Sequence, residues 1–340
     1  MNILVTGASG FLGRDTVAEL LQRGHQVRAV IRPSRDISTL PWSNHSAVQL
    51  VRLDLEQPTG LTDALSGVDV VIHLAAAKTG SIQAQMQATV TATETLLQSM
   101  SAAGIRRLIA ISTFSVYDYL HLLPNTVVDE NTPLETNPVE RDTYAQTKLM
   151  QEQLVRQFEQ QGGQVTILRP GVVYGRDALW NACLGARKGN VWLRIGNDAT
   201  LPLTYVENCA AAIANAVEQQ QAIGKTINIV DDHLPTQSVY AHKLLEHLTT
   251  SPRTLLINWT LMQFLSQIAW QTNKVLFAGR LKLPGLLIPA RLHARFKPLR
   301  YSNQLAKTVL AWTPHYSLDA ALERSIATPV SPLPGSSVSA

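Results

Sequence analysis

The chain has only two cysteines in 340 residues, Cys183 and Cys209. They form no metal-ligand spacing, which excludes a disulfide scaffold and a zinc module, leaves no metal expected and fits a reducing cytoplasm. No apolar run reaches the ~18 residues of a membrane span, so a simple transmembrane segment is not expected. Met1-Asn2 runs directly into the strand-like Ile3–Thr6, so no signal peptide is expected either. Charge is sparse: Asp, Glu, Lys and Arg make up 16% of residues, with a formal net charge of +4. That excess is too small to argue for nucleic acid, and no nucleic-acid partner is expected. Acid is missing altogether from 247 to 318. What the chain does have is 45% apolar residues, enough to bury a sizeable core and exclude global disorder.

Short β-branched runs alternate with helical patterns. Strands are expected at Ile3–Thr6, Gln26–Ile31, Val48–Leu53, Val70–Leu74, Leu108–Ser112, Val165–Leu168 and Thr226–Val230. Helices are expected at Phe11–Arg23, Thr62–Leu65, Ile82–Ala103, Thr143–Gln161, Ala178–Lys188, Asn208–Gln221 and Gln237–Leu248. Gly24, Gly104 and Gly162 sit just past helical patterns, where left-handed caps belong. This alternation predicts an α/β fold with a doubly wound parallel sheet covered on both faces. We expect a dinucleotide-binding core over 1–176, with 203–233 returning to it. A smaller C-terminal substrate-binding lobe is expected over 177–202 and 234–327, and a disordered tail over 328–340.

Thr6-Gly7-Ala8-Ser9-Gly10-Phe11-Leu12-Gly13 places three glycines between the first strand and the first helix. Glycine lets the backbone turn sharply and approach a pyrophosphate, and a helix start offers free N–H groups. The stretch resembles the glycine motif of the extended short-chain dehydrogenase/reductases, the NAD-dependent epimerase/dehydratase family. The resemblance runs along almost the whole chain. It covers Asp54-Leu55, His73-Leu74-Ala75-Ala76, Arg169–Gly175, Leu203–Asn208 and Leu310–Pro314. It implies a Rossmann fold and a nicotinamide cofactor held by Gly7, Ser9, Gly10, Phe11, Leu12 and Gly13. It further implies contacts from Asp54, Leu55, Leu74, Ala75, Ala76, Pro170, Val172 and Val173. Read without the resemblance, Asp54 is a turn residue, His73 a structural strand-end histidine, and Pro170 a strand stop.

The end of the second strand chooses the cofactor. An acid there would bind the ribose 2′-hydroxyl of NAD. The run Arg32-Pro33-Ser34-Arg35 has no acid until Asp36. Arg32 and Arg35 offer planar donors to a 2′-phosphate. NADP is therefore expected, with NAD as the alternative.

Tyr144 and Lys148 match a Tyr-x-x-x-Lys signature, and residues four apart share a helix face. A phenol titrates near ~10, and a neighbouring cation favours its ionised form. Tyr144 and Lys148 are also expected at the cofactor, Lys148 donating to the nicotinamide ribose. The third member is a hydroxyl after the fifth strand. Alignment through Val116-Tyr117 puts Thr113 at the position of the family's catalytic serine, with Ser112 in reserve. Thr89 stands where the family often has asparagine, which questions any proton relay built on that residue.

These parts imply an oxidoreductase or epimerase-type enzyme exchanging a hydride and a proton at a hydroxyl or carbonyl carbon. The leading substrate expectation is nucleotide-sugar-like and anionic. The alternative is a reductase or dehydrogenase resembling the dihydroflavonol and 3β-hydroxysteroid groups. A non-catalytic dinucleotide sensor is the reading of another class. The resemblance also implies a homodimer through the helices near Ile82–Ala103 and Thr143–Gln161.

From 247 to 318 there are nine cations, and the rest of the chain carries 20 basic and 25 acidic residues. Within it Leu261, Phe264, Leu265 and Ile268 recur at helical spacing. Three readings apply: an amphipathic helix packed on its own lobe, a lid meeting an anionic substrate through Arg295, Lys297 or Arg300, or a weak membrane-surface contact.

Overall fold

The computed structural model describes residues 1–57, 59–196, 198–247 and 252–326; the expected tail lies outside them. Seven parallel strands form the central sheet: β1 (Asn2–Thr6), β2 (Gln26–Ile31), β3 (Val48–Arg52), β4 (Val70–His73), β5 (Arg107–Ile111), β6 (Gln164–Pro170) and β7 (Thr226–Ile229). Their spatial order is β7-β6-β5-β4-β1-β2-β3. This is the doubly wound Rossmann arrangement, and the order reverses between β1 and β4. The inner strands read as nearly continuous apolar runs because both faces are covered: Ile3, Leu4 and Val5 are fully buried, as are Leu108 and Ile109 of β5.

Helices α1 (Phe11–Gln22) and α6 (Val206–Glu218) cover one face, and α2 (Leu61–Leu65), α4 (Ala92–Ala102) and α5 (Thr143–Gln160) cover the other. A short α3 (Ile82–Met86) precedes α4. The expected single helix over Ile82–Ala103 is interrupted by a π-helical turn at Gln87–Thr91. The reason is polar. The Thr89 hydroxyl accepts from the Ala77 N–H at 3.0 Å, and its carbonyl accepts from the Thr93 hydroxyl at 2.6 Å.

The C-terminal lobe holds α7 (Gln237–Glu246), α8 (Trp259–Phe277) and α9 (Pro289–Phe296); α10 (Gln304–Leu310) and α11 (Leu318–Ile326) follow. The helix expected at Ala178–Lys188 does not form. Gly185 has φ +105°, and a Cβ there would lie 2.0 Å from the Leu193 carbonyl oxygen. That close approach lets Ala186–Lys188 pair antiparallel with Val191–Ile195, which in turn pairs with Arg253–Ile257.

Candidate functional site

The carboxyl ends of β1, β4, β5 and β6 converge at the switch point. Thr6 lies opposite His73, and Ile111 opposite Leu168. Gly7 (φ +68°) passes so close to the β4 exit that a Cβ would sit 2.8 Å from the Ala75 nitrogen. A Cβ on Gly13 would meet the Gly7 carbonyl oxygen at 2.2 Å. These two glycines fold the loop against the sheet. Gly10, exposed at the start of α1, carries no side-chain cap. The uncapped first-turn N–H groups beside a half-buried Ser9 therefore fit the pyrophosphate of a dinucleotide.

Around that loop the expected residues take distinct places. Phe11 and Leu12 pack against the cluster containing Tyr174 and Tyr205. Leu74, Ala75 and Ala76 are half-buried after β4. Pro170 ends β6 in the core; Val172 and Val173 pair with Leu203 and Thr204. Exposed Asp54 caps its own turn, accepting from Glu56 N at 3.1 Å, and Leu55 is half-buried beside it.

Arg32 and Arg35 are exposed; neither guanidinium makes a hydrogen bond or close ion pair among the described residues, and the Arg35 charge acts on Asp36. Asp36 is occupied by Ser38, whose N–H and hydroxyl reach it at 2.9 and 2.8 Å. Those bonds hold its carboxyl below the usual range. Arg52, not singled out from the sequence, donates to the carbonyls of Pro33 and Arg35 at 2.7 and 3.1 Å. It fixes the arginine-bearing turn and adds a third positive charge.

The catalytic candidates meet at the start of α5. Asp142 caps this helix through the Ala145 N–H at 2.9 Å. Thr113 follows β5 in extended conformation beside the Tyr144 phenol, its hydroxyl accepting from the Ser115 N–H at 3.2 Å and donating to the Ser115 hydroxyl at 3.4 Å. Burial pushes that phenol up to about 12, while the Thr113 hydroxyl pulls it down. Ser112 is buried, and its hydroxyl has no partner among the described residues. It is Thr113 that lies beside Tyr144.

Lys148 is engaged by neighbours other than the phenol. The ammonium donates to the Ile111 carbonyl and to Gln151 Oε1, each at 2.5 Å. Burial brings it down to about 7, against the opposing pull of Glu152. Lys78, which sequence reasoning missed, places its ammonium 5.9 Å from the Tyr144 ring centre.

Gln151 leads into a buried polar chain. Its Nε2 donates to Thr93 Oγ1 at 2.8 Å, and His73 Nε2 meets the same hydroxyl at 2.8 Å. His73 Nδ1 meets the Thr6 hydroxyl at 2.8 Å. Because Thr93 donates to the Thr89 carbonyl, the network assigns the His73 proton to Nε2. Burial lowers the His73 pKa to about 3, so the ring stays neutral. His73 is thus structural, and it ties the glycine loop to Lys148. Thr89 enters through its backbone carbonyl rather than through a side-chain amide.

Other motif residues carry the frame. Arg169 donates to both Glu152 oxygens at 2.9 and 2.6 Å, locking β6 to α5. Asn208 holds the chain end through the N–H groups of His315 and Tyr316, each at 2.9 Å. Of the lid candidates, Lys297 is buried and donates to the carbonyls of Tyr119, Leu120 and Leu122. Arg300 lies in a short strand beside Val127 and donates to the Asn125 carbonyl. Arg295 approaches Asp142 at 3.8 Å, and Arg291 donates to the Arg141 carbonyl at 3.1 Å. These two arginines of α9 therefore stand at the start of the helix that carries Tyr144.

A doubly wound dinucleotide fold with Thr113, Tyr144 and Lys148 at its switch point defines the class. The model of the NAD dependent epimerase/dehydratase family matches residues 3–230, and the chain belongs to that family. It is 33% identical over 220 residues to a 2-alkyl-3-oxoalkanoate reductase of Stenotrophomonas maltophilia, covering 62% of this chain and 64% of that enzyme. The match thus spans less than two thirds of that relative. It is 27% identical over 336 residues to a mouse sterol-4-alpha-carboxylate 3-dehydrogenase, decarboxylating, covering 95% of this chain and 89% of that one. The fold resembles that of a UDP-glucuronic acid 4-epimerase from Bacillus cereus in complex with NAD. There the TM-score is 0.71 at 24% identity, over 95% of this chain and 97% of that one.

Proposed function

We propose that this chain is a nicotinamide-dependent oxidoreductase that prefers NADP and interconverts a ketone and an alcohol on an apolar, carboxylate-bearing substrate. The carrying observation is the gathering of Thr113 beside the Tyr144 phenol, with Lys148 one turn along the same helix. When bound, the nicotinamide supplies or accepts the hydride. The Thr113 hydroxyl holds the substrate oxygen beside the phenol. Tyr144, protonated through neutral pH, gives its proton to that oxygen as a ketone becomes an alcohol. Lys148 spends two donors on Ile111 and Gln151 and keeps a third for the nicotinamide ribose. Arg32 and Arg35, on the turn held by Arg52, supply cations for a 2′-phosphate.

The substrate class rests on the sequence relatives. The names of both place a reacting oxygen at position 3 near a carboxylate. Arg291 and Arg295 at the start of α5 suit that anion. The same pair suits a diphosphate, which favours a nucleotide sugar as the second reading. A panel of 2-alkyl-3-oxo acids and UDP-sugars, followed by loss of reduced-nicotinamide absorbance or by epimer formation, tests the two. Turnover of oxo acids supports the first reading; epimerised sugar without net cofactor change overturns it. Exposed Ile82 and Met150 on α3 and α5 support a homodimer through these helices. Two free, buried thiols support a reducing compartment.

A further inference from the structure

Helix α8 is built inside out. A surface helix of a soluble domain turns its apolar stripe inward. Here the inward positions are Met262, Ser266 and Asn273, two of the three polar. Asn273 is tied down at 3.0 and 3.1 Å by the backbone of Leu281. The outward positions are Leu261, Phe264, Leu265, Ile268, Val275 and Leu276, of which Phe264 is 62% and Val275 76% exposed. Exposed Leu255 and Leu256 on the adjoining edge strand, and Leu281 beyond the helix, extend the surface. A contiguous apolar patch of this kind marks an interaction site.

Cations outnumber acids around it, although Glu140 pairs with Lys274 and Asp198 shares a cavity with Leu256 and Trp259. No Asp or Glu occurs from 247 to 318. Arg253, Arg280 and Lys282 are exposed and unpaired among the described residues. Lys274 lies 4.8 Å from the Trp270 ring centre, a pairing suited to an apolar-to-aqueous boundary. Among the described residues no helix is long and apolar enough to cross a membrane. A 19-residue helix with apolar side chains outward, cations at its borders and an indole among them suits the plane of a bilayer surface. The exposed cations Arg253, Arg280 and Lys282 suit anionic headgroups.

We propose that α8 and the adjoining edge strand form a monotopic docking surface for a lipid bilayer bearing anionic headgroups. The surface adjoins the candidate active site. Lys274 reaches Glu140 at 3.4 Å, four residues before Tyr144, and α9 connects α8 to the start of α5. Docking would therefore present the site to molecules dissolved in the lipid. The inference stands apart from the proposed reaction, and its test uses no turnover.

The full chain is sedimented with vesicles of phosphatidylcholine alone or mixed with phosphatidylglycerol. Binding to the mixed vesicles is expected, weakening at high salt and on pure phosphatidylcholine. The Leu265→Asp/Ile268→Asp variant should lose at least ~10-fold in partitioning with an unchanged melting temperature, since both side chains face solvent. Arg280→Glu/Lys282→Glu, which leaves the apolar face intact, should lose about fivefold or more per removed cation on anionic vesicles. Failure of the unaltered chain to sediment would overturn the proposal, as would unchanged binding by both variants. So would a dimer in analytical ultracentrifugation that does not bind vesicles and that Leu265→Asp/Ile268→Asp converts to monomer, because the face would then belong to a second copy.

Discussion

Thr93 is fully buried, and its hydroxyl makes three hydrogen bonds, to the Thr89 carbonyl, His73 Nε2 and Gln151 Nε2. Thr93→Val keeps the branched shape and removes all three. It strands two donors and one acceptor where water does not reach. A buried group left without a partner costs about 1–3 kcal/mol, so the variant should lose about 3 kcal/mol or more. His73 cannot relieve the strain by charging, because its pKa near 3 keeps it neutral at neutral pH. Thr93→Ser is the control: it keeps the hydroxyl and gives up one methyl, about 1 kcal/mol. Urea unfolding followed by circular dichroism reads both values from the midpoint at constant slope. A loss under about 1 kcal/mol for Thr93→Val would refute the network, as would equal losses for Val and Ser.

Three further outcomes follow from the same geometry. Gln151→Leu removes an acceptor from Lys148; kcat should fall ~10-fold or more, the equivalent of one charged hydrogen bond, while Gln151→Glu retains an acceptor and restores part of the rate. Arg32→Glu should weaken NADPH at least ~10-fold and leave NADH nearly unchanged in fluorescence titrations, and tighter NADH than NADPH binding by the unaltered chain would reverse the cofactor assignment. With the phenol at about 12, ketone reduction needs the form already present, so any fall in its kcat/KM between pH 7 and pH 10 should follow the Lys148 ammonium, brought down to about 7, and should have the same midpoint in Tyr144→Phe. Alcohol oxidation needs the minor phenolate, so its kcat/KM should climb with pH over the same window.

The readable parts of the site were local. Tyr144 and Lys148 are four residues apart on one helix, the glycines lie within one loop, and Thr113 follows its strand directly. The polar chain was not readable, because His73, Thr93 and Gln151 belong to β4, α4 and α5, distant in sequence and brought together only where the two helices pack on one face of the sheet. Arg52 and Lys78 escaped for the same reason. Gly185 shows a limit of periodicity: the helical spacing over Ala178–Lys188 gives way to a backbone approach that no side chain tolerates. Helix α8 shows another. Spacing located its apolar face, but only the packing of Met262, Ser266 and Asn273 revealed that this face points outward. The reading of α8 as a helix packing its apolar stripe on its own lobe is therefore corrected.

Single-turnover oxidation of bound NADPH by a 2-alkyl-3-oxo acid tests the central claim most directly, with Tyr144→Phe beside the unaltered chain. The substitution removes one proton donor and keeps the ring. The account predicts equal NADPH affinity for the two proteins and a chemical rate lower by ~10²–10⁴ in the variant. Equal rates, or no binding of either dinucleotide by the unaltered chain, would contradict it.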